Sequence, residues 1–165
     1  MPFQIPDSLI LPALIERPFS MHYDFSDDDA ARYRLDEQVG FLLRKASQRH
    51  LSIFSQNLSA LTATQFAALA KLCELGPTSQ NALGRATAMD AATIKGVADR
   101  LRARDLVTAE PDPVDRRRHY LIPTEAGRAL YAELAGAALK ISTETLAPLS
   151  DKERETLLSL LAKMG

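Results

Sequence analysis

The sequence predicts a mainly α fold with a small β-wing: a winged helix-turn-helix flanked by N- and C-terminal dimerisation helices. Three observations predict it. The stretch Asp90–Arg118 reads as a capped helix, a strand, a turn carrying Pro111 and Pro113, and a second strand opening on Arg116-Arg117-Arg118. A short helical stretch, Ser79–Thr87, stands just before it, separated by a turn at Ala88-Met89. Long segments of helical periodicity lie on either side, in a chain of 165 residues with 7 glycines and no tryptophan.

Four segments follow. Residues 1–26 are an N-terminal arm, because Pro2, Pro6, Pro12 and Pro18 are too many for one helix. Phe3, Ile5, Leu9, Ile10, Leu11, Leu14, Ile15 and Phe19 are too many apolar side chains for a disordered tail. In a dimer such an arm packs against the other subunit. Residues 27–61 hold a long dimerisation helix that Ser26 and the acids Asp27-Asp28-Asp29 start, with a break near Tyr33. Leu35, Val39, Leu42, Leu43, Ala46, Ile53 and Phe54 share one side of it at helical spacing.

Residues 62–123 hold the winged helix-turn-helix. Thr62 and Gln65 form a capping box for a helix ending at Leu75, before Gly76-Pro77, with Phe66, Leu69, Ala70 and Cys73 inward. Asp90 caps the next long helix, and Ile94, Val97, Ala98 and Leu101 give it a buried face. After Asp105 the period shortens, and Leu106-Val107 and His119–Ile122 prefer strands. Residues 124–165 are the C-terminal dimerisation helices. Thr124 caps the first, with Leu130, Leu134 and Ile141 inward and Pro148 ending it; Ser150 and Glu153 box the second. Leu157, Leu158, Leu160 and Leu161 leave that last helix apolar over more of its girth than one neighbour covers.

Composition narrows function. An apolar fraction of 46% and a charged fraction of 25% are those of a globular chain. One cysteine excludes an internal disulfide and points to a reducing, cytoplasmic compartment. No apolar run is long enough to span a membrane. His22, His50 and His119 lack metal-ligand spacing and no nucleophile sits in a glycine-rich turn, so no catalytic residue, metal or cofactor is expected. Net charge is −1, yet residues 85–118 hold eight basic and six acidic side chains, a local balance of +2. A helix able to fill a major groove, with an arginine hairpin for the minor groove beside it, points to double-stranded DNA. The alternative is a protein-binding winged helix whose arginines are a solvated face.

The segment Leu61–Leu130 resembles the core of the MarR family of winged-helix transcription regulators, most specifically in Asp115-Arg116-Arg117-Arg118 and Thr124-Glu125-Ala126-Gly127. The resemblance implies a homodimer that binds a pseudo-palindromic operator, usually as a repressor released by a small molecule, in the bacterial cytoplasm. It makes Asp90–Arg100 the recognition helix and Arg116 and Arg117 the wing arginines. The DNA-facing set is then Ser79, Gln80, Ala91, Ala92, Thr93, Lys95, Gly96, Arg100, Asp115, Arg116, Arg117 and Arg118. Two positions depart from the family pattern: Asp105, where glycine closes the recognition helix, and Pro123, where leucine precedes the threonine. Aspartate tolerates the left-handed region better than most residues, whereas Pro123 is expected to loosen the end of the wing strand.

A second cluster has two readings. His50 is a core histidine with Arg49 reaching solvent, or the pair lines a ligand pocket with Tyr23, Tyr33 and Phe54 as its aromatic wall. The resemblance favours a pocket for an aromatic or heteroaromatic acid. The run Gln38–Ala46 looks most like the branch that regulates breakdown of such acids, nicotinate included. Cys73 reads as a small packed hydrophobe, with a redox sensor as its alternative.

Overall fold

Helix starts follow the side chains that can cap them. Thr62 accepts from Gln65 N at 3.2 Å while Gln65 Oε1 accepts from Thr62 N at 3.0 Å, closing the expected box. Asp90 and Thr124 accept from the residues three positions on, Thr93 N at 2.8 Å and Gly127 N at 3.0 Å. The box at Ser150 forms only by half. Glu153 accepts from Ser150 N at 2.8 Å and from its hydroxyl at 2.6 Å, so that hydroxyl donates instead of capping.

A computed structural model describes residues 27–112 and 119–164. In chain order they form α1 (Asp27–Arg32), α2 (Val39–Asn57), α3 (Ala63–Leu75), β1 (Thr78–Ser79), α4 (Gln80–Ala86), α5 (Ala91–Arg102), β2 (Val107–Pro111), β3 (His119–Pro123), α6 (Glu125–Thr145) and α7 (Asp151–Met164). The N-terminal arm, Tyr23 and the wing residues Asp115, Arg116, Arg117 and Arg118 lie outside the described residues.

The chain divides into two units at Asp36. In the first, α1 closes with Tyr33 N donating to Asp29 O at 2.9 Å. The break expected near Tyr33 is present: α1 ends at Arg32 and a 3-10 turn at Leu35–Glu37 precedes α2.

In the second unit, α5 packs on α3 and α4, and α2 runs along α6. The core is centred on the helix-turn-helix, where Leu69, Leu72, Leu83 and Leu101 are fully buried. Ile53 and Phe54 of α2 and Ile141 of α6 extend it to the long helices. Among the described residues the rest of the apolar stripe stays exposed, at Val39, Leu42 and Leu43 of α2 and at Leu35 in the 3-10 turn before it.

The strands form an antiparallel sheet in the order β1-β3-β2. Two-residue β1 was not expected from the sequence. It pairs Thr78 with Leu121 and Ser79 with Tyr120, tying the first helix of the motif to the wing. Asp105 takes φ 55° after α5, and Leu106 N donates back to Leu101 O at 3.0 Å, so aspartate does the work of the family's glycine. Pro123 does not loosen the strand. It is buried opposite Val107, and the next donor, Thr124 N, reaches Leu106 O at 3.1 Å. Thr124 also donates its hydroxyl to Asp105 O at 2.6 Å. This approach explains the glycine of Thr-Glu-Ala-Gly, since a Cβ on Gly127 would collide with the Leu106 carbonyl.

Candidate nucleic-acid interface and ligand cluster

α5 has two unlike faces. Ile94, Val97, Ala98 and Leu101 are all at most 2% exposed, whereas Ala91, Ala92, Thr93, Lys95 and Arg100 face solvent. Its first turn is held tightly. Asp90 takes Thr93 N on one oxygen and the Thr93 hydroxyl on the other, both at 2.8 Å. These bonds, the backbone one first, hold the Asp90 carboxyl below the usual carboxylate range. The small side chains of Ala91 and Ala92 let this turn come close to a partner.

Farther along, Lys95 reaches Asp99 at 2.9 Å, and Arg102 stands 3.7 Å from the same carboxylate. The Lys95 hydrogen bond is the largest reason the Asp99 carboxyl is depressed. Exposed pairs of this kind are weak, so Asp99 holds Lys95 only loosely. The Arg100 guanidinium lies over Gly96, where an added Cβ would make ordinary contact with its Nη1 at 3.6 Å. On the preceding helix, half-buried Ser79 caps α4 through Ala82 N at 3.4 Å, and Gln80 is its first residue. Close packing of the two helices rests on Gly84, where a Cβ would stand 3.1 Å from Met89 O and 3.2 Å from Ile94 Cγ2.

The structure brings together two of the expected ligand residues on α2 and joins them to α6. Arg49 donates from Nε to Thr145 O at 3.1 Å and from Nη2 to Glu144 O at 3.0 Å, capping the C-terminus of α6. Half-buried His50 places Nδ1 3.1 Å from Thr145 Oγ1. Its ring stands 6.2 Å from that of Phe54, which stands 6.1 Å from Phe66, in turn 6.1 Å from Tyr131. Phe54 is a core residue at 6% exposure, and Tyr33 lies in the other unit, 59% exposed. Sequence reasoning missed Phe66, Tyr131 and Thr145. The first two carried an aromatic signal on helices not searched for a pocket, and Thr145 carried none. A groove of about 430 Å³ opens elsewhere, beside Leu149, Leu157 and Leu160 at the start of α7.

Burial pushes the Cys73 thiol up, with Arg128 only partly opposing, which disfavours the thiolate. Among the described residues no His, Cys, Asp and Glu group could hold a metal, and no helix is long and apolar enough to cross a membrane.

A capped helix with an exposed front, a shorter helix bracing it and a hairpin beside it define a winged helix-turn-helix protein. The MarR family pattern matches residues 61–119. The HTH-type transcriptional repressor NicR of Pseudomonas putida is 46% identical over 138 residues, 82% of this chain and 87% of that one. The chain belongs to the MarR family of transcription regulators. Among solved structures, Bordetella bronchiseptica BpsR, whose DNA binding is regulated by 6-hydroxynicotinic acid, superposes with a TM-score of 0.77 at 44% identity, covering 80% of this chain and 96% of that one. The repressor CouR of Rhodococcus jostii, bound to a 23-mer DNA duplex, gives 0.73 at 28% identity over 79% and 94% of the two chains.

Proposed function

We propose that this chain is a homodimeric, DNA-binding repressor of genes for aromatic-acid breakdown, released from a pseudo-palindromic operator by a small aromatic or heteroaromatic acid. The observation that carries this reading is the exposed first turn of α5, backed by a fully buried face. That turn enters a major groove of double-stranded DNA, with Ala91, Ala92 and Thr93 nearest the bases and Lys95 and Arg100 on phosphates. By likeness to the family, Arg116 and Arg117 add minor-groove contacts, with Asp115 and Arg118 beside them.

The dimer is argued from uncovered apolar surface. Leu158, Leu160, Leu161 and Met164 of α7 are 39–66% exposed, and Val39, Leu42 and Leu43 of α2 lie open as well. Exposed apolar faces of this kind mark interfaces. A second copy on them holds two α5 helices one DNA turn apart, about 34–36 Å.

BpsR's response to 6-hydroxynicotinic acid supports an aromatic acid as effector. Arg49 and His50 tie α2 to the end of α6, and the ring chain from His50 through Phe54 leads to Phe66 on α3 of the helix-turn-helix; a ligand there shifts the spacing by its differential affinity for the two states. Gel shifts on DNA upstream of the chain's own gene, with 6-hydroxynicotinic acid titrated in, test the reading. Wild type is expected to bind and be released, Arg117→Ala to bind weakly, and His50→Ala to bind but resist release. Full affinity in Arg117→Ala rejects the wing contact, and normal release of His50→Ala returns that residue to the core.

A further inference from the structure

Resting on the ligand reading above, we propose that Thr145 is a positioning residue: it fixes His50 as the Nδ1–H tautomer, so that the ring selects acids carrying a ring hydroxyl or lactam N–H. The Thr145 hydroxyl has one proton and two neighbours, Ile141 O at 2.7 Å and His50 Nδ1 at 3.1 Å. The first distance is that of O–H···O and the second that of N–H···O. The hydroxyl therefore donates to Ile141 and turns a lone pair to His50, and Nδ1 must carry the proton that fills it. A free neutral imidazole prefers the opposite tautomer, with the proton on Nε2.

Two further contacts keep the arrangement in place. Arg49, the neighbour of His50, holds the Glu144 and Thr145 carbonyls, so the last turn of α6 does not drift from α2. The Phe54 ring, tilted 55° to the imidazole at 6.2 Å, limits rotation of the ring. No described residue hydrogen-bonds Nε2. In the neutral Nδ1–H ring the Nε2 lone pair, unmet among the described residues, accepts from O–H or N–H and gains nothing from a carboxylate. A bare aromatic acid supplies no such donor, whereas a hydroxylated one supplies both the donor and the anion.

Nitrogen-15 spectra of the ligand-free protein, recorded near pH 8 where an ordinary imidazole is neutral, test the tautomer without involving a ligand. Wild type and Thr145→Ser are expected to show His50 protonated at Nδ1, and Thr145→Val to show it protonated at Nε2. A wild-type ring protonated at Nε2 overturns the proposal, even if the valine variant does not fold. Calorimetry with 6-hydroxynicotinic and nicotinic acids then tests selection. Wild type and Thr145→Ser should prefer the hydroxylated acid by about tenfold, the worth of one hydrogen bond, and Thr145→Val should lose that preference. An Nδ1–H ring with equal affinity for the two acids overturns the selection. An Nδ1–H ring with no binding of either acid overturns the ligand reading itself.

Discussion

α5 and α7 are both amphipathic helices of similar length, 12 and 14 residues, yet one buries its apolar face and the other does not. α5 buries Ile94, Val97, Ala98 and Leu101 against α3 and α4, whereas α7 has no buried residue. The same contrast runs through α2, 19 residues long, which buries only Ile53 and Phe54 near its C-terminal end. The helix-turn-helix carries its own core. The long helices α2 and α7 leave apolar side chains exposed among the described residues. Stability of the helix-turn-helix and assembly of the proposed dimer are thus separable, and mutations should sort accordingly.

The sharpest division is between two leucines. Leu101→Ala empties a fully buried site and should cost about 2–5 kcal/mol in urea unfolding. Leu160→Ala, at a position 51% exposed, should change unfolding of the dissociated chain by less than about 0.5 kcal/mol. Its effect should appear in sedimentation equilibrium, as a weaker dimer. Equal costs for the two would erase the contrast.

Gly127→Ala comes next, since its Cβ is driven onto the Leu106 carbonyl and, at 3.3 Å, against Leu69 Cδ1. About 1–3 kcal/mol should be lost in the same unfolding assay. Gly136, with open space around its Cβ position, should accept alanine without loss. The smallest effect is acidic. Asp90, Asp99 and Glu153 are held below the ordinary carboxylate range by Thr93, Lys95 and Ser150 respectively. A lowered folded-state pKa gives stability that is present above the unfolded value and lost as pH falls through the folded one. Melting temperature should therefore decline modestly below about pH 4, and Asp90→Ala should flatten part of that decline.

Much of this was legible because the signals were local. Thr62, Asp90 and Thr124 each find their partner three residues away, and Asp105 needed only its tolerance of positive φ. What was missed depends on distant partners. Two-residue β1 exists because Leu121 and Tyr120 arrive beside it from more than 40 positions on. The stripe on α2 was rightly seen as apolar, but what covers Leu42 and Leu43 is not decided by the neighbouring residues of the helix. Pro123 looked disruptive because proline lacks a donor, yet the strand's end is held by Thr124 N. Thr145 escaped notice because its role is the hydroxyl it presents to His50, 95 residues earlier. The wing arginines and Tyr23 remain inferences from sequence.

The central claim is that the exposed first turn of α5 reads DNA while its buried face holds the fold. Fluorescence anisotropy with Ala92→Glu on upstream DNA tests it directly. A carboxylate in the first turn of a helix does not oppose the helix dipole, so folding should be unimpaired. Against DNA the same charge costs several kcal/mol, and affinity is expected to fall at least about a hundredfold with the melting temperature unchanged. Wild-type affinity in that variant would contradict the account, because α5 would then not be the element that enters the groove.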